Sequence, residues 1–106
     1  MTGKLNKKII ALIEERCNVS VRKEEGYFIF YVDNACGEDY QFEIKDTTHT
    51  IEDIVNYCDG FDADEHFKLW YGANKGEPSD ARTLLDNCEE IGDNLEQLRD
   101  LLYYLN

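Results

Sequence analysis

The chain has 106 residues, 42% of them hydrophobic and 12% aromatic, which is typical of one globular domain with a modest core and excludes a disordered chain. Twenty-three acidic and eleven basic side chains give a formal net charge of −12, which disfavours binding to nucleic acid or anionic membranes and favours basic partners. Residues 1–45 carry a net charge of −1 and residues 46–106 a net charge of −11, and this segregation favours a directional electrostatic role.

The cysteine spacing and the lack of a long apolar run indicate the cellular compartment of the protein. Four cysteines lie 19, 22 and 30 residues apart, without the Cys-x-x-Cys spacing of a zinc or redox site. The sequence shows neither a signal peptide nor an apolar run of membrane length. We therefore expect a cytoplasmic protein with reduced thiols, in which Cys17, Cys58 and Cys88 lie on the apolar sides of helices.

The first part of the chain predicts a helix and then strands. Residues 3–17 predict an amphipathic helix, because apolar side chains recur three or four residues apart and charged ones take the other side. After residue 18 the period changes to two, which is the pattern of strands. The three predicted strands cover residues 19–23, 27–33 and 38–45.

The second of these strands is apolar on both faces. It is therefore expected at the centre of an antiparallel meander, with helices over at least one face. If the other face is open, Tyr27, Ile29 and Tyr31 form a patch suited to binding a partner. The alternative is that both faces are buried.

Two further helices are predicted by capping boxes, in which a polar residue starts the helix and an acidic residue follows three positions later. Thr50 and Asp53 form the first box. Asp62 and Glu65 form the second, which opens a helix ending between residues 72 and 76. A helix, a three-stranded antiparallel meander and then three helices predict an α+β domain, with the later helices packed on one face of the sheet.

The last predicted helix follows Pro78, runs from residue 79 to residue 106 and has two opposed sides. The apolar side carries Leu84, Cys88, Ile91, Leu95, Leu98, Leu102 and Leu105. The acidic side carries Asp86, Glu89, Asp93, Glu96 and Asp100. Gly92 lies inside this predicted helix. The alternative is a break of the helix at this glycine, with Asp93 and Glu96 as the capping box of a second helix.

The acidic side of this helix has a spacing close to that of a nucleic-acid backbone. At ~1.5 Å per residue it spans about 21 Å, or one charge every ~5 Å, whereas phosphates follow one another every ~3.4 Å along a DNA strand. A protein whose usual ligand is nucleic acid can bind such a row. The other interpretation is the solvated side of a packed helix.

Patterns for catalysis and metal binding are absent from the sequence. His49 and His66 lie in different segments, no serine or cysteine occupies a nucleophile motif, and residues 72–76 lack the spacing of a phosphate-binding loop. Acidic residues cluster at 59–66, but their spacing does not fit an EF-hand loop. The helix dipole favours acidic residues in the first turn of a helix, which explains the cluster without a metal. We therefore expect no enzyme activity, no cofactor and no bound metal.

The run Phe61-Asp-Ala-Asp-Glu-His66 through Trp70, the Pro78-Ser79 pair and the acidic, leucine-rich helix together resemble small uncharacterised proteins of phages and mobile elements. Small size, strong acidity and an α+β scaffold are also similar to anti-CRISPR and anti-restriction proteins, a functional class of many unrelated folds. The resemblance implies an inhibitor of a host defence nuclease. Because the class has no common fold, the resemblance does not identify functional residues in this chain.

We therefore predict an inhibitor that acts in the host cytoplasm through an acidic, DNA-mimicking surface. Its expected partner is a basic nucleic-acid-binding protein such as a CRISPR effector or a restriction nuclease, with no direct contact to nucleic acid or membrane. The expected binding residues are Asp62, Asp64, Glu65, Asp86, Glu89, Asp93, Glu96 and Asp100. The sequence leaves open the oligomeric state and whether these residues share one face.

The alternative is a small cytosolic adaptor or regulatory protein that docks through an aromatic or apolar face. Tyr27, Ile29 and Tyr31 on the second strand are one candidate for that face. Tyr103 is another, since the Tyr103-Tyr104 pair either closes the core or anchors an interface. Binding through such a face changes little with ionic strength, whereas binding through an acidic face weakens as salt is added.

Overall fold

The computed structural model describes residues 3–33, 40–73 and 81–105. Over these residues the chain forms helix α1 (Lys7–Arg16), strands β1 (Val19–Glu24), β2 (Tyr27–Val32) and β3 (Tyr40–Lys45), and helices α2 (Thr50–Asp59), α3 (Ala63–Ala73) and α4 (Ala81–Leu105). This order confirms the predicted α+β fold. The predicted start of the last helix at Pro78 and Ser79, and residues 38–39 of the third strand, lie outside the described residues.

Strand β2 lies between β1 and β3 and pairs antiparallel with both, as its two apolar faces predict. The turn from β1 to β2 uses Gly26 at a φ of 76°, in the left-handed region that a residue without Cβ adopts freely. Directly opposed residues of an antiparallel pair point to the same face. The helix-facing side therefore carries Val19, Val21, Phe28, Phe30, Val32, Phe42 and Ile44.

The core lies between this side of the sheet and the helices. Phe30, at its centre, is fully buried and stacks on Phe42 with 4.8 Å between ring centroids. The buried positions of α4 are Cys88, Ile91, Leu95, Leu98 and Leu102, each at most 1% exposed, and Leu105 is partly buried. This confirms the predicted apolar side of α4 over the side chains that are described. Since burial of one such leucine or isoleucine contributes about 1.5–3 kcal/mol, the row holds α4 firmly on the domain.

The second face of the sheet is open over the described residues. It carries Ser20, Arg22, Tyr27, Ile29, Tyr31, Gln41 and Glu43. Tyr27 is 43% exposed and Tyr31 is half-buried, with the guanidinium carbon of Arg22 5.7 Å from the centroid of the Tyr31 ring. Ile29 on this face is buried but does not belong to the core cluster between the sheet and the helices. Of the three residues of the predicted patch, Tyr27 is exposed and Ile29 is buried, so the alternative of burial on both faces holds at Ile29 and fails at Tyr27.

The first predicted capping box is wrong, because Thr50 closes a turn instead of capping α2. The helix begins behind His49, which makes no side-chain cap, and the buried Thr50 hydroxyl lies 2.9 Å from the carbonyl oxygen of Lys45. The first turn of α2 finds another acceptor, since the amide of Ile51 donates to the carbonyl of Gly3 at 2.7 Å. Residues 3–6 therefore run beside α2, and α1 begins later than predicted.

Helix α4 is continuous through Gly92, so the predicted alternative of a break there is wrong. At this glycine α4 lies against the α2–α3 connection. A Cβ built at Gly92 would lie 3.4 Å from a ring carbon of Phe61 and 3.9 Å from the Cβ of Ala63. Helix α4 thus passes directly against the segment that carries the acidic residues at the start of α3.

Candidate acidic interface

Helix α4 presents its five predicted acidic residues to solvent. Asp86, Glu89, Asp93, Glu96 and Asp100 are all exposed, on the side opposite the buried row. Because the helix is unbroken and its other side is packed into the core, the carboxylates are held along one continuous helix. Within the described residues Glu89 and Asp93 make no ion pair, so their charges are available to a partner.

A groove beside α4 brings in a further carboxylate from α2. The end of α2, the connection to α3 and α4 enclose an open depression of about 380 Å³. Its carboxylate lining consists of Asp59, Glu89, Asp93 and Glu96. Gly92 and Phe61 also line it, so the contact between α4 and the α2–α3 connection forms part of this groove. We call it the acidic groove.

Arg99 makes the ion pairs of this region, and the sequence reasoning missed it. One guanidinium nitrogen lies 3.1 Å from an Asp59 oxygen, and the other lies 3.1 Å from Asp100 and 3.6 Å from Glu96. The hydrogen bonds to Asp100 and Asp59 raise the pKa of Arg99 above its ordinary value. Arg99 therefore balances charge at the C-terminal end of the acidic row, and the unbalanced charge is concentrated at Glu89 and Asp93.

The predicted acidic residues at the start of α3 lie next to this groove but differ from one another in their contacts. Asp62, Asp64 and Glu65 are all exposed. A side-chain oxygen of Asp62 accepts hydrogen bonds from the amides of Asp64 and Glu65 at 3.0 and 3.3 Å, which confirms Asp62 as the helix cap. Asp62 and Glu65 line a second depression, and Phe61 lines both. The two predicted acidic clusters are therefore neighbours, separated by one aromatic ring.

The tyrosines near the end of α4 do not close the core. Tyr103 is 55% exposed and Tyr104 is 88% exposed. The Tyr103 hydroxyl lies 3.4 Å from a carboxylate oxygen of Asp59, which attaches this ring to the same network as Arg99. Of the two interpretations of the pair, closure of the core is wrong. Their exposure leaves them available at the surface.

The described residues do not assemble a metal site, and the thiol of Cys58 is not activated. Within residues 3–33, 40–73 and 81–105, no group of three or more His, Cys, Asp or Glu side chains is placed to hold a metal ion. His49 pairs with Asp53 at 3.0 Å, and His66 packs against Tyr40 and Phe61. Burial raises the pKa of Cys58 to about 12, so its thiol stays protonated near neutral pH.

No protein family, curated protein or solved structure matches this chain. None of the helices in the described part of the chain combines the length and the apolar character needed to cross a lipid bilayer. The charge and geometry of the described surfaces are therefore the basis of the function proposed next.

Proposed function

We propose that this chain is an inhibitor from a phage or mobile element that binds a basic, nucleic-acid-binding defence protein in the host cytoplasm. The acidic row of α4, extended by Asp59 across the acidic groove, occupies the surface on which that protein holds nucleic acid. A CRISPR effector or a restriction nuclease is the kind of target that this chemistry fits. The observation that carries the proposal is the exposed charge of Glu89 and Asp93, which no described residue pairs, on a helix fixed by its buried side.

A rigid acidic row has physical advantages as a competitor of nucleic acid. The field of a chain with a net charge of −12 accelerates encounter with a basic surface, and the like charge repels the nucleic acid itself. The carboxylates of α4 are already in place, so binding does not have to order a flexible segment. No catalytic residue is needed, because occupation of the basic surface is sufficient to inhibit.

Charge reversal at the unpaired positions tests the proposal. We expect the double variant Glu89→Lys/Asp93→Lys to bind the captured partner at least about tenfold more weakly than the parent chain, because two attractions become repulsions. The matched control is Glu15→Lys/Glu25→Lys, which changes the net charge equally at exposed positions far from α4 in sequence. Far-UV circular dichroism of both variants should match that of the parent chain.

The partner is first captured from host lysate on the immobilised chain and eluted in steps between about 50 and about 500 mM NaCl. Duplex DNA added to the purified complex should displace the chain if the two compete for one surface. The proposal is contradicted if capture is indifferent to salt, if DNA does not compete, or if both double variants bind alike.

One observation favours a second candidate function, an adaptor or regulatory protein that docks through the open face of the sheet. Tyr27 is exposed there, beside the half-buried Tyr31 and above the buried Ile29. Such docking predicts capture that survives high salt, is lost in Tyr27→Ser and is unchanged in Glu89→Lys/Asp93→Lys. The two candidates therefore respond in opposite ways to the same variants.

A further inference from the structure

The second depression shares Phe61 with the acidic groove but differs from it in most of its other lining residues. It is an open hollow of about 380 Å³ between the end of α2 and the first turns of α3. Its walls include the rings of Tyr57, Phe61 and His66, the carboxylates of Asp62 and Glu65, and Leu69. We call it the aromatic pocket.

The aromatic walls are fixed by rings that belong to β3. Phe42 stacks on one face of Tyr57 with 4.0 Å between centroids and an interplanar angle of 14°. Tyr40 lies edge-on to Phe61 and to His66, at 5.7 and 5.3 Å. Phe42 is buried and Tyr40 is hydrogen-bonded to the Tyr57 hydroxyl, so the pocket is attached to the core of the sheet.

The charge of the aromatic pocket is negative, and no described residue balances it. Neither Asp62 nor Glu65 makes an ion pair with another described residue, and no described lysine or arginine lines the pocket. Burial lowers the pKa of His66, so this ring adds no positive charge at neutral pH. The acidic groove differs in this respect, because Arg99 already occupies its edge.

Aromatic faces and carboxylates together attract organic cations, since the ring quadrupole and the carboxylate charge act in the same direction. Leu69, which is 66% exposed, adds an apolar surface of the kind on which the methylene stem of a long basic side chain packs. A planar guanidinium suits these walls better than an ammonium ion, because it stacks on rings and pairs with a carboxylate through two hydrogen bonds.

We infer that the aromatic pocket binds the guanidinium of one arginine side chain presented by the basic partner. This inference rests on the proposed function and adds an anchor to it. The acidic row of α4 supplies steering along its length, and the pocket supplies one directional contact that fixes the register of the complex. A nucleic-acid-binding surface carries arginines for contact with phosphates, and one of them would be held here instead.

The test uses blocked arginine, N-acetyl-arginine-methylamide, titrated into the isotope-labelled full chain and followed by NMR. We expect saturable shifts at Leu69, His66 and Phe61, with a millimolar dissociation constant, as is usual for a single side chain. Blocked citrulline, which has the same shape without the charge, should bind at least about fivefold more weakly. Equal binding of citrulline, or shifts confined to Glu89 and Asp93, would overturn the inference.

Glu65→Gln should weaken binding of blocked arginine several-fold, whereas Asp64→Asn should leave it unchanged, because Asp64 is exposed but does not line the pocket. Tighter binding of blocked lysine than of blocked arginine would overturn the assignment to a guanidinium.

The titration needs no partner, so its failure is distinct from a failure of the proposed function. Glu89→Lys/Asp93→Lys should retain the arginine titration while it loses the partner. If the partner binds through the acidic row but blocked arginine does not bind, the pocket is refuted and the proposed function stands.

Discussion

Asn87 provides a sharp test of the packing of α4. Its side chain is 1% exposed, and neither its amide nitrogen nor its amide oxygen has a hydrogen-bond partner within the described residues. A buried polar group without a partner costs about 1–3 kcal/mol. Leucine has the same branching and the same number of heavy atoms, and it is also the better helix former. We therefore expect Asn87→Leu to raise the free energy of unfolding by about 1–3 kcal/mol, with a rise in Tm of roughly 5–15 °C.

The matched control lies two turns further along the same helix. Asn94 is also buried, but its amide nitrogen donates to the carbonyl of Asp33 at 2.7 Å and its oxygen accepts from Asn18 at 3.4 Å. Asn94→Leu removes these bonds and should lower stability by about 0.5–1.5 kcal/mol. Urea unfolding followed by far-UV circular dichroism measures both changes. A fall in stability for Asn87→Leu equal to that for Asn94→Leu would refute the reasoning.

Two further predictions concern α4 and the buried thiols. Gly92→Ala should raise the free energy of unfolding by up to about 1 kcal/mol, because the new Cβ meets Phe61 at 3.4 Å, an ordinary contact, and helix propensity improves. A loss of stability in urea would contradict this prediction and show that Phe61 does not accommodate the added methyl group. Burial raises the pKa of Cys58 from 9.0 to about 12, so the unfolded chain releases this proton at lower pH than the folded chain. Stability should then fall as pH rises from 9 to 12, and Cys58→Ala should reduce this slope; an unchanged slope would exclude Cys58 as its source.

The order of elements and the two sides of α4 could be predicted from the sequence because both depend on local periodicity. A change of period near residue 18 separates α1 from the meander, and a row of leucines at steps of three and four defines the buried side of α4. Asp62 was recognisable as a cap for the same reason, since its partners are the next amides along the chain.

Features that depend on contacts between distant residues could not be read in this way. Thr50 has the right neighbours for a capping box, but its hydroxyl is taken by the carbonyl of Lys45, which a local pattern does not show. Arg99 and Asp59 are 40 positions apart in the sequence, so no local pattern predicts that Arg99 balances charge in the acidic row. Gly92 indicated a possible break in the helix, and only the fold shows that α4 continues through it and lies against Phe61.

Most of the aromatic pocket could not be predicted from the sequence either. Its acidic residues were singled out as a helix start, and its rings come from α2, the α2–α3 connection and α3, with supporting rings from β3. A signal was present in the high aromatic content of residues 57–71, but no periodicity ties these rings together. Only the fold brings Tyr40 and Phe42 behind them.

The division of α4 into a buried and an exposed side has an evolutionary consequence. Substitutions at exposed positions away from special contacts usually change stability by less than about 0.5 kcal/mol, whereas those at the buried row cost several times more. Glu89 and Asp93 belong to the first kind, and Leu95 and Leu98 to the second. A lineage carrying this scaffold can therefore revise what the helix displays, residue by residue, while the domain beneath it stays folded.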